Sequence, residues 1–227
     1  RTTLTALRRL DLAISDCAGI LVTHEHSDHV AGLDTFLKKY PIPVYSSADT
    51  LDALDSRGTL PPAVETSAMD GGNPLDIGPF KVSSFPTSHD VPCRIETPDG
   101  RRMALATDLG ILTPVVQDSL LGCDLVALEA NYDAFSLHGG PYPYYLKVRI
   151  ASDRGHLDNK ACAAEILDLI QDGCKKFALC HLSQTNNSPE LVMTTVYNVL
   201  LAAGIQPGRD VLIQAQSRSE VSPYIEF

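Results

Sequence analysis

The stretch Leu21-Val-Thr-His24-Glu-His26-Ser-Asp28-His29 packs three histidines and two acids into six residues, in a chain with only seven histidines. Imidazole and carboxylate are ligands for zinc, manganese or iron, and this density exceeds what a polar loop or a helix cap requires. An apolar run, Gly19 to Val22, leads into the cluster, and Val30, Leu33, Phe36 and Leu37 follow it at helical spacing. The pattern predicts a strand, a loop and a helix. On such a turn His24 and His26, two residues apart, face the same way, while Asp28 and His29 open the helix. Four side chains of this kind can begin two adjacent metal sites.

Further along, groups able to bind a metal recur immediately after apolar, strand-like runs. His89 follows Phe80–Phe85, Asp108 follows Arg102–Ala106, Glu129 follows Asp124–Leu128 and His181 follows Lys176–Cys180. Polar groups set repeatedly at strand ends are how an α/β scaffold builds a pocket on one rim.

The elements that must position them read as follows. Leu4, Leu7, Leu10 and Ile14 form one helical stripe over residues 3–15. Pro41–Tyr45 is a short strand and Ala48–Ser56 a helix, and residues 57–74, rich in Gly and Pro, read as loop. Cys93–Thr97 and Arg102–Ala106 make a hairpin turned by Pro98-Asp99-Gly100. Helices are expected over Thr113–Leu121, Asp158–Ile170 and Ser188–Ala203, and a last strand over Asp210–Ala215. Residues 132–155, with their Gly, Pro and Tyr, read as irregular.

At 227 residues and 44% apolar content, the chain can bury the core of one domain, 1–227. No apolar run approaches the ~20 residues that cross a bilayer, and no signal peptide is visible, although the chain opens on Arg1. The six cysteines are scattered without a C-x-x-C pair, which points to a reduced, cytoplasmic setting. A formal charge of −10 argues against a nucleic-acid partner, but bound divalent ions return positive charge to the pocket itself.

These residues carry a resemblance. H-x-H-x-D-H, a separated His, a Thr-Asp pair and a His after a late strand are similar to the metallo-β-lactamase-fold superfamily. The YycJ-like (WalJ-type) branch is more similar still, sharing Leu21-Val-Thr-His-Glu-His26, Ser88-His89-Asp90, Thr107-Asp108, Glu129-x-Asn131, Ser152-Asp153-x-Gly155-His156 and His181-Leu-Ser-Gln184 with Asn186-Asn187. The resemblance implies an α/β fold, a four-layer αββα sandwich, here without its first N-terminal strands. It implies two divalent ions, Zn or Mn with Fe as an alternative, and divides the ligands. His24, His26 and His89 hold one ion, Asp28, His29 and His181 the other, and Asp108 bridges. Tyr132 stands where such relatives carry a histidine, and no ligand role is assigned to it.

The chemistry implied is attack by a bridging hydroxide on a phosphodiester. The leaving alkoxide then needs a proton. His156 is the candidate donor, with Glu129 to orient and charge it, as a Glu-plus-His pair does in similar ribonuclease Z enzymes. Asp28, Glu129 and His156 are thus the expected catalytic residues. Lys147, Arg149 and Arg154, interleaved with Tyr142, Tyr144 and Tyr145, together with Ser183 and Asn186, are candidates for holding substrate. The branch resemblance implies a 5′-to-3′ DNA exonuclease; a glyoxalase II-type thioesterase on the same ligands is the competing expectation. Only 72 residues separate Asp108 from His181, too few for the long nuclease insert of the ribonuclease J type. The oligomeric state, monomer or homodimer, stays open.

Overall fold

The computed structural model describes residues 2–69, 71, 73–85, 92–217 and 220–227, and leaves the side chains of Thr2 and Asp28 undescribed. His89 and Asp90 therefore lie outside the described residues. The chain divides into two compact units, Arg1–Ser84 and Phe85–Phe227.

The first unit opens with α1 (Thr2–Arg9), shorter than the helix expected over residues 3–15. Asp11 takes a left-handed φ of 54°, and the Leu12 N–H closes back on the Leu7 carbonyl at 2.9 Å. This is a helix-ending turn, and it leaves Leu10 and Leu12 exposed. β1 (Ile20–Leu21), β2 (Val44–Ser46) and β3 (Thr66–Ala68) form a parallel sheet in the order β1-β2-β3. β3 corrects the loop expected over 57–74; its residues Thr66, Ser67 and Ala68 are all exposed, so no apolar alternation marks it.

The helix expected after the histidine cluster is two helices, α2 (Ser27–Val30) and α3 (Leu33–Lys39). Gly32, at φ 80°, makes the break, a conformation open to glycine at little cost. α4 (Ala48–Ser56) is as expected, with the Ser47 hydroxyl accepting from the Thr50 N–H at its start. Val22, Leu37, Val44, Leu51, Leu54 and Val64 make this unit's core. β4 (Leu75–Ile77) and β5 (Phe80–Ser84) pair as an antiparallel hairpin.

In the second unit β6 (Cys93–Glu96) and β7 (Arg102–Ala106) form the expected hairpin. β8 (Leu125–Glu129), β9 (Lys176–Cys180) and β10 (Leu212–Ala215) then run parallel to β7, in the order β10-β9-β8-β7-β6. α5 (Pro114–Leu120) is capped by the Thr113 hydroxyl, and α8 (Asn159–Gln171) by the Asp158 carboxylate. α9 (Pro189–Ala202) is capped by the Ser188 hydroxyl. Their buried faces, including Val116, Leu120, Ile166, Leu169, Val196 and Leu200, close over Val126, Leu128, Phe177 and Leu179 of the sheet. β8 is buried along its whole length, as a central parallel strand covered on both faces must be.

Residues 132–155 are not irregular. They hold α6 (Ala134–Gly139), capped by Asp133 accepting from the Ser136 N–H at 2.8 Å, and α7 (Tyr144–Ile150). Gly139, Gly140, Pro141 and Pro143 between the two helices give the stretch its loop-like composition.

Candidate metal centre

In the first unit, β1 delivers the chain to a loop that ends at α2, with His26 in the N-cap position. The Val22 N–H still bonds the Tyr45 carbonyl, so the sheet fixes where the loop begins. His24 is buried, and its ring centroid lies 4.4 Å from that of His26 and 4.0 Å from that of His29. Thr23 Oγ1 sits 3.2 Å from His24 Nδ1. Arg57 donates to the Glu25 carbonyl at 2.6 Å and braces the loop from α4's end. The three imidazoles thus gather as their spacing predicts.

In the second unit the C-terminal ends of β7, β8 and β9 converge. Asp108 follows β7, Glu129 is the last residue of β8, and His181 follows β9. With His156 they place one candidate ligand atom each within 4.8 Å of one another. Asp108 and His181 both take left-handed backbone, φ 55° and 56°, which aims their side chains off the strand ends. Non-glycine residues hold such angles only where the surroundings enforce them, typically at functional sites. Here Asn131 Nδ2 donates to the His181 carbonyl at 2.8 Å.

Glu129 is fully buried, and both its oxygens are engaged. Oε2 accepts from the Leu109 N–H at 2.5 Å. Oε1 lies 2.8 Å from His156 Nδ1 and 2.8 Å from His181 Nδ1. Burial pushes this carboxyl upward, but the bonds to His156 and His181 outweigh it and hold the group below the usual glutamate range. A carboxylate that receives Nδ1–H from two rings fixes both tautomers, so each ring presents Nε2. Asp108 Oδ1 is 3.7 Å from His181 Nε2 and 3.7 Å from His156 Nδ1.

The donor set fits a divalent cation of the zinc or manganese kind. The Asp108 carboxylate and the His181 imidazole are ligand types for such an ion. Both Glu129 oxygens are engaged by two histidines and a backbone amide.

The support goes further than the sequence suggested. Asn187 Nδ2 donates to the carbonyls of Ala130 and Asn131 and to Asn159 Oδ1, and Asn159 Nδ2 returns a bond to Asn187 Oδ1 at 3.0 Å. These buried amides tie the end of β8, the loop after β9 and the start of α8 together. Asn131 and Asn187 lie in the quoted motifs, but nothing in the sequence around Asn159 marks it. Tyr132 is buried, its hydroxyl pushed upward by burial, and it bridges backbone to Asp158.

Of the substrate candidates, Lys147 donates from Nζ to the His138 carbonyl at 2.7 Å, and Arg149 and Arg154 are exposed. Ser183 is turned to structure: its N–H donates to the Asn131 carbonyl and its hydroxyl accepts from the Asn186 N–H. The Asn186 amide is buried, with no hydrogen-bond partner among the described residues.

The family model described as "Beta-lactamase superfamily domain" matches residues 3–181. Exodeoxyribonuclease YycJ of Bacillus anthracis is 35% identical over 211 residues, covering 92% of this chain and 80% of that protein. Exodeoxyribonuclease WalJ of Streptococcus pneumoniae serotype 2 is 32% identical over 219 residues, covering 93% and 81%. Among solved structures, the metallo-beta-lactamase fold protein YhfI of Bacillus subtilis superposes with a TM-score of 0.65 at 15% identity, over 89% of this chain and 76% of that one. Zn²⁺-bound PqqB of Methylobacterium extorquens gives 0.62 at 17%, over 87% and 68%. Similarity of that order shows the fold alone, and the fold implies divalent metal ions. A family match over most of the sequence, and identity above 30% along nearly all of it, establish that the chain belongs to the beta-lactamase superfamily, in its YycJ/WalJ-like branch, as a metal-dependent hydrolase of the metallo-β-lactamase fold.

Proposed function

We propose that the chain hydrolyses phosphodiesters of DNA, as a 5′-to-3′ exonuclease, and that two divalent ions, zinc or manganese, are held by His24, His26, Asp28, His29, His89, Asp108 and His181. The observation that carries the reading is the Glu129–His156 pair beside Asp108 and His181. When bound, the ions supply a water of lowered pKa and a positive clamp for the phosphoryl oxygens. The chain's own residues do the rest. Glu129 holds His156 through Nδ1, leaving Nε2 as the atom from which a proton passes to the departing alkoxide. The same oxygen holds His181 with its Nε2 lone pair turned to the ligand position. An alkoxide is a poor leaving group and needs such a donor, whereas a thiolate does not. The relatives named exodeoxyribonuclease support the same reading.

The formal charge of −10 favours the competing thioesterase reading. The test supplies the protein with Mn²⁺ or Zn²⁺ and compares 5′-labelled duplex DNA, single-stranded DNA, RNA and a glutathione thioester. Release of mononucleotides from the labelled 5′ end is expected. Hydrolysis of the thioester alone would retire the nuclease reading.

A further inference from the structure

On α7, Tyr144 and Tyr145 are 83% and 74% exposed, Val148 is 50% exposed, and Arg149 is exposed beside them. At 100° per residue these four lie within an arc of about 140°, one continuous outer face of the helix. Phe135, at the first turn of α6, is 87% exposed. Rings this bare are unusual on a folded surface, and the two tyrosines that share one face of α7 mark a binding surface.

The electrostatics select the occupant. From Ala134 to Ser152 there is no acidic residue, in a chain that carries 28 acids in all. Lys147 and Arg149 are the charges there, and among the described residues neither is paired with a carboxylate. Exposed rings beside cations, in a stretch without acids, are complementary to unpaired bases and their phosphates.

The surface is also fastened to the reacting end. The His156 N–H donates to the Ile150 carbonyl at 2.8 Å, so the last residue of α7 anchors the proposed proton donor. A Cβ on Gly155 would come within 2.1 Å of that same carbonyl and 2.4 Å of the Arg149 carbonyl, so the turn from α7 to His156 admits only glycine. At the other end Tyr142 donates from its hydroxyl to Thr185 Oγ1 at 3.1 Å, and the Asp133 N–H bonds the Asn186 carbonyl at 2.9 Å.

We infer that α7 is a stacking platform for single-stranded nucleic acid, with Tyr144 and Tyr145 meeting bases and Arg149 meeting phosphates. This rests on the phosphodiesterase reading and names the form of substrate that the site takes: a strand whose bases are unpaired.

The test uses Mn²⁺-loaded protein and a fluorescein-labelled, phosphorothioate-linked oligodeoxythymidylate, followed by anisotropy. Tyr144→Ala and Tyr145→Ala should each weaken binding by roughly 5- to 100-fold, the range for losing one stacked base. Tyr144→Phe and Tyr145→Phe should bind as wild type does, since the ring and not the hydroxyl is used. Alanine variants that bind as tightly as wild type overturn the platform. So does an alanine variant that binds normally but changes oligomeric state in sedimentation, because the face is then a contact between copies. Thioester hydrolysis without phosphodiester hydrolysis by the wild type is a separate result; it removes the reading beneath the platform, whatever the tyrosines do.

Discussion

One carboxylate oxygen, Glu129 Oε1, lies 2.8 Å from Nδ1 of two imidazoles to which the proposed function gives different tasks. The match of Glu129 with His156 rested on a resemblance to the Glu-plus-His pair of ribonuclease Z enzymes. The sequence could not show that His181, 52 positions away, shares the same oxygen at 2.8 Å. Such sharing depends on how β8 and β9 end side by side, which no local pattern encodes. Two variants separate the roles. His156→Ala should keep the metals and lose turnover by about 10²- to 10⁴-fold, the usual worth of a positioned proton donor; metal content and single-turnover rates read this together, and normal turnover would send the donor elsewhere. Glu129→Gln should lower metal affinity as well as turnover, each by about 10- to 100-fold. The amide cannot accept from Leu109, His156 and His181 at once, since one of its two heads is now a donor. A loss of turnover with metal affinity intact would show that His181 does not depend on Glu129.

At the scale of elements, periodicity and caps located what they could. α4, β9 and the β6–β7 hairpin stand where the sequence reading put them, because each has a clear apolar period or a strong turn or cap at its ends. β3 escaped because it is exposed throughout, and α6 and α7 because glycines and prolines hide two short helices in a stretch that looks like loop. Close backbone approach leaves no trace in the pattern either. A Cβ on Gly110 would lie 2.1 Å from the Asp153 carbonyl oxygen and 2.7 Å from the Arg154 nitrogen, so the turn after Asp108 packs directly on the turn before His156. Gly110→Ala should therefore cost about 1–3 kcal/mol of stability and lower turnover as His156 is displaced, with thermal unfolding and steady-state rates as the measurements; an unaltered Tm would show the two turns can part freely. Where α5 meets α8, buried Glu165 accepts from Gln117 Nε2 at 2.7 Å. Burial holds its carboxyl above the usual range, with the Gln117 bond working the other way. A carboxyl raised on folding destabilises the fold once it ionises, and the penalty builds as pH rises through the unfolded value and is complete above the folded one. Glu165→Gln should raise Tm at pH 7, and the gain should disappear below the ordinary glutamate value of about 4.3.

For the whole molecule the averages mislead. A charge of −10 speaks against a polyanionic substrate, yet the acids are absent from the nineteen positions from Ala134 to Ser152, and the ligands proposed at the strand ends would bring cations to the site. The net charge reveals neither, whereas the distribution of acids along the sequence shows the first and the position of each candidate ligand after an apolar strand points to the second. Metal bound at the proposed site would be coupled to folding. A cation that binds only the native state stabilises it by about 2.7 kcal/mol when present at a hundred times its Kd. In chains of this size 1 kcal/mol moves Tm by about 2–4 °C, so each saturated site should raise Tm by roughly 5–11 °C over chelated protein. Elemental analysis of the loaded protein should find two ions per chain. One ion would refute the paired centre while leaving a mononuclear hydrolase, and neither bound metal nor any change in Tm would end the metal-dependent account of this chain.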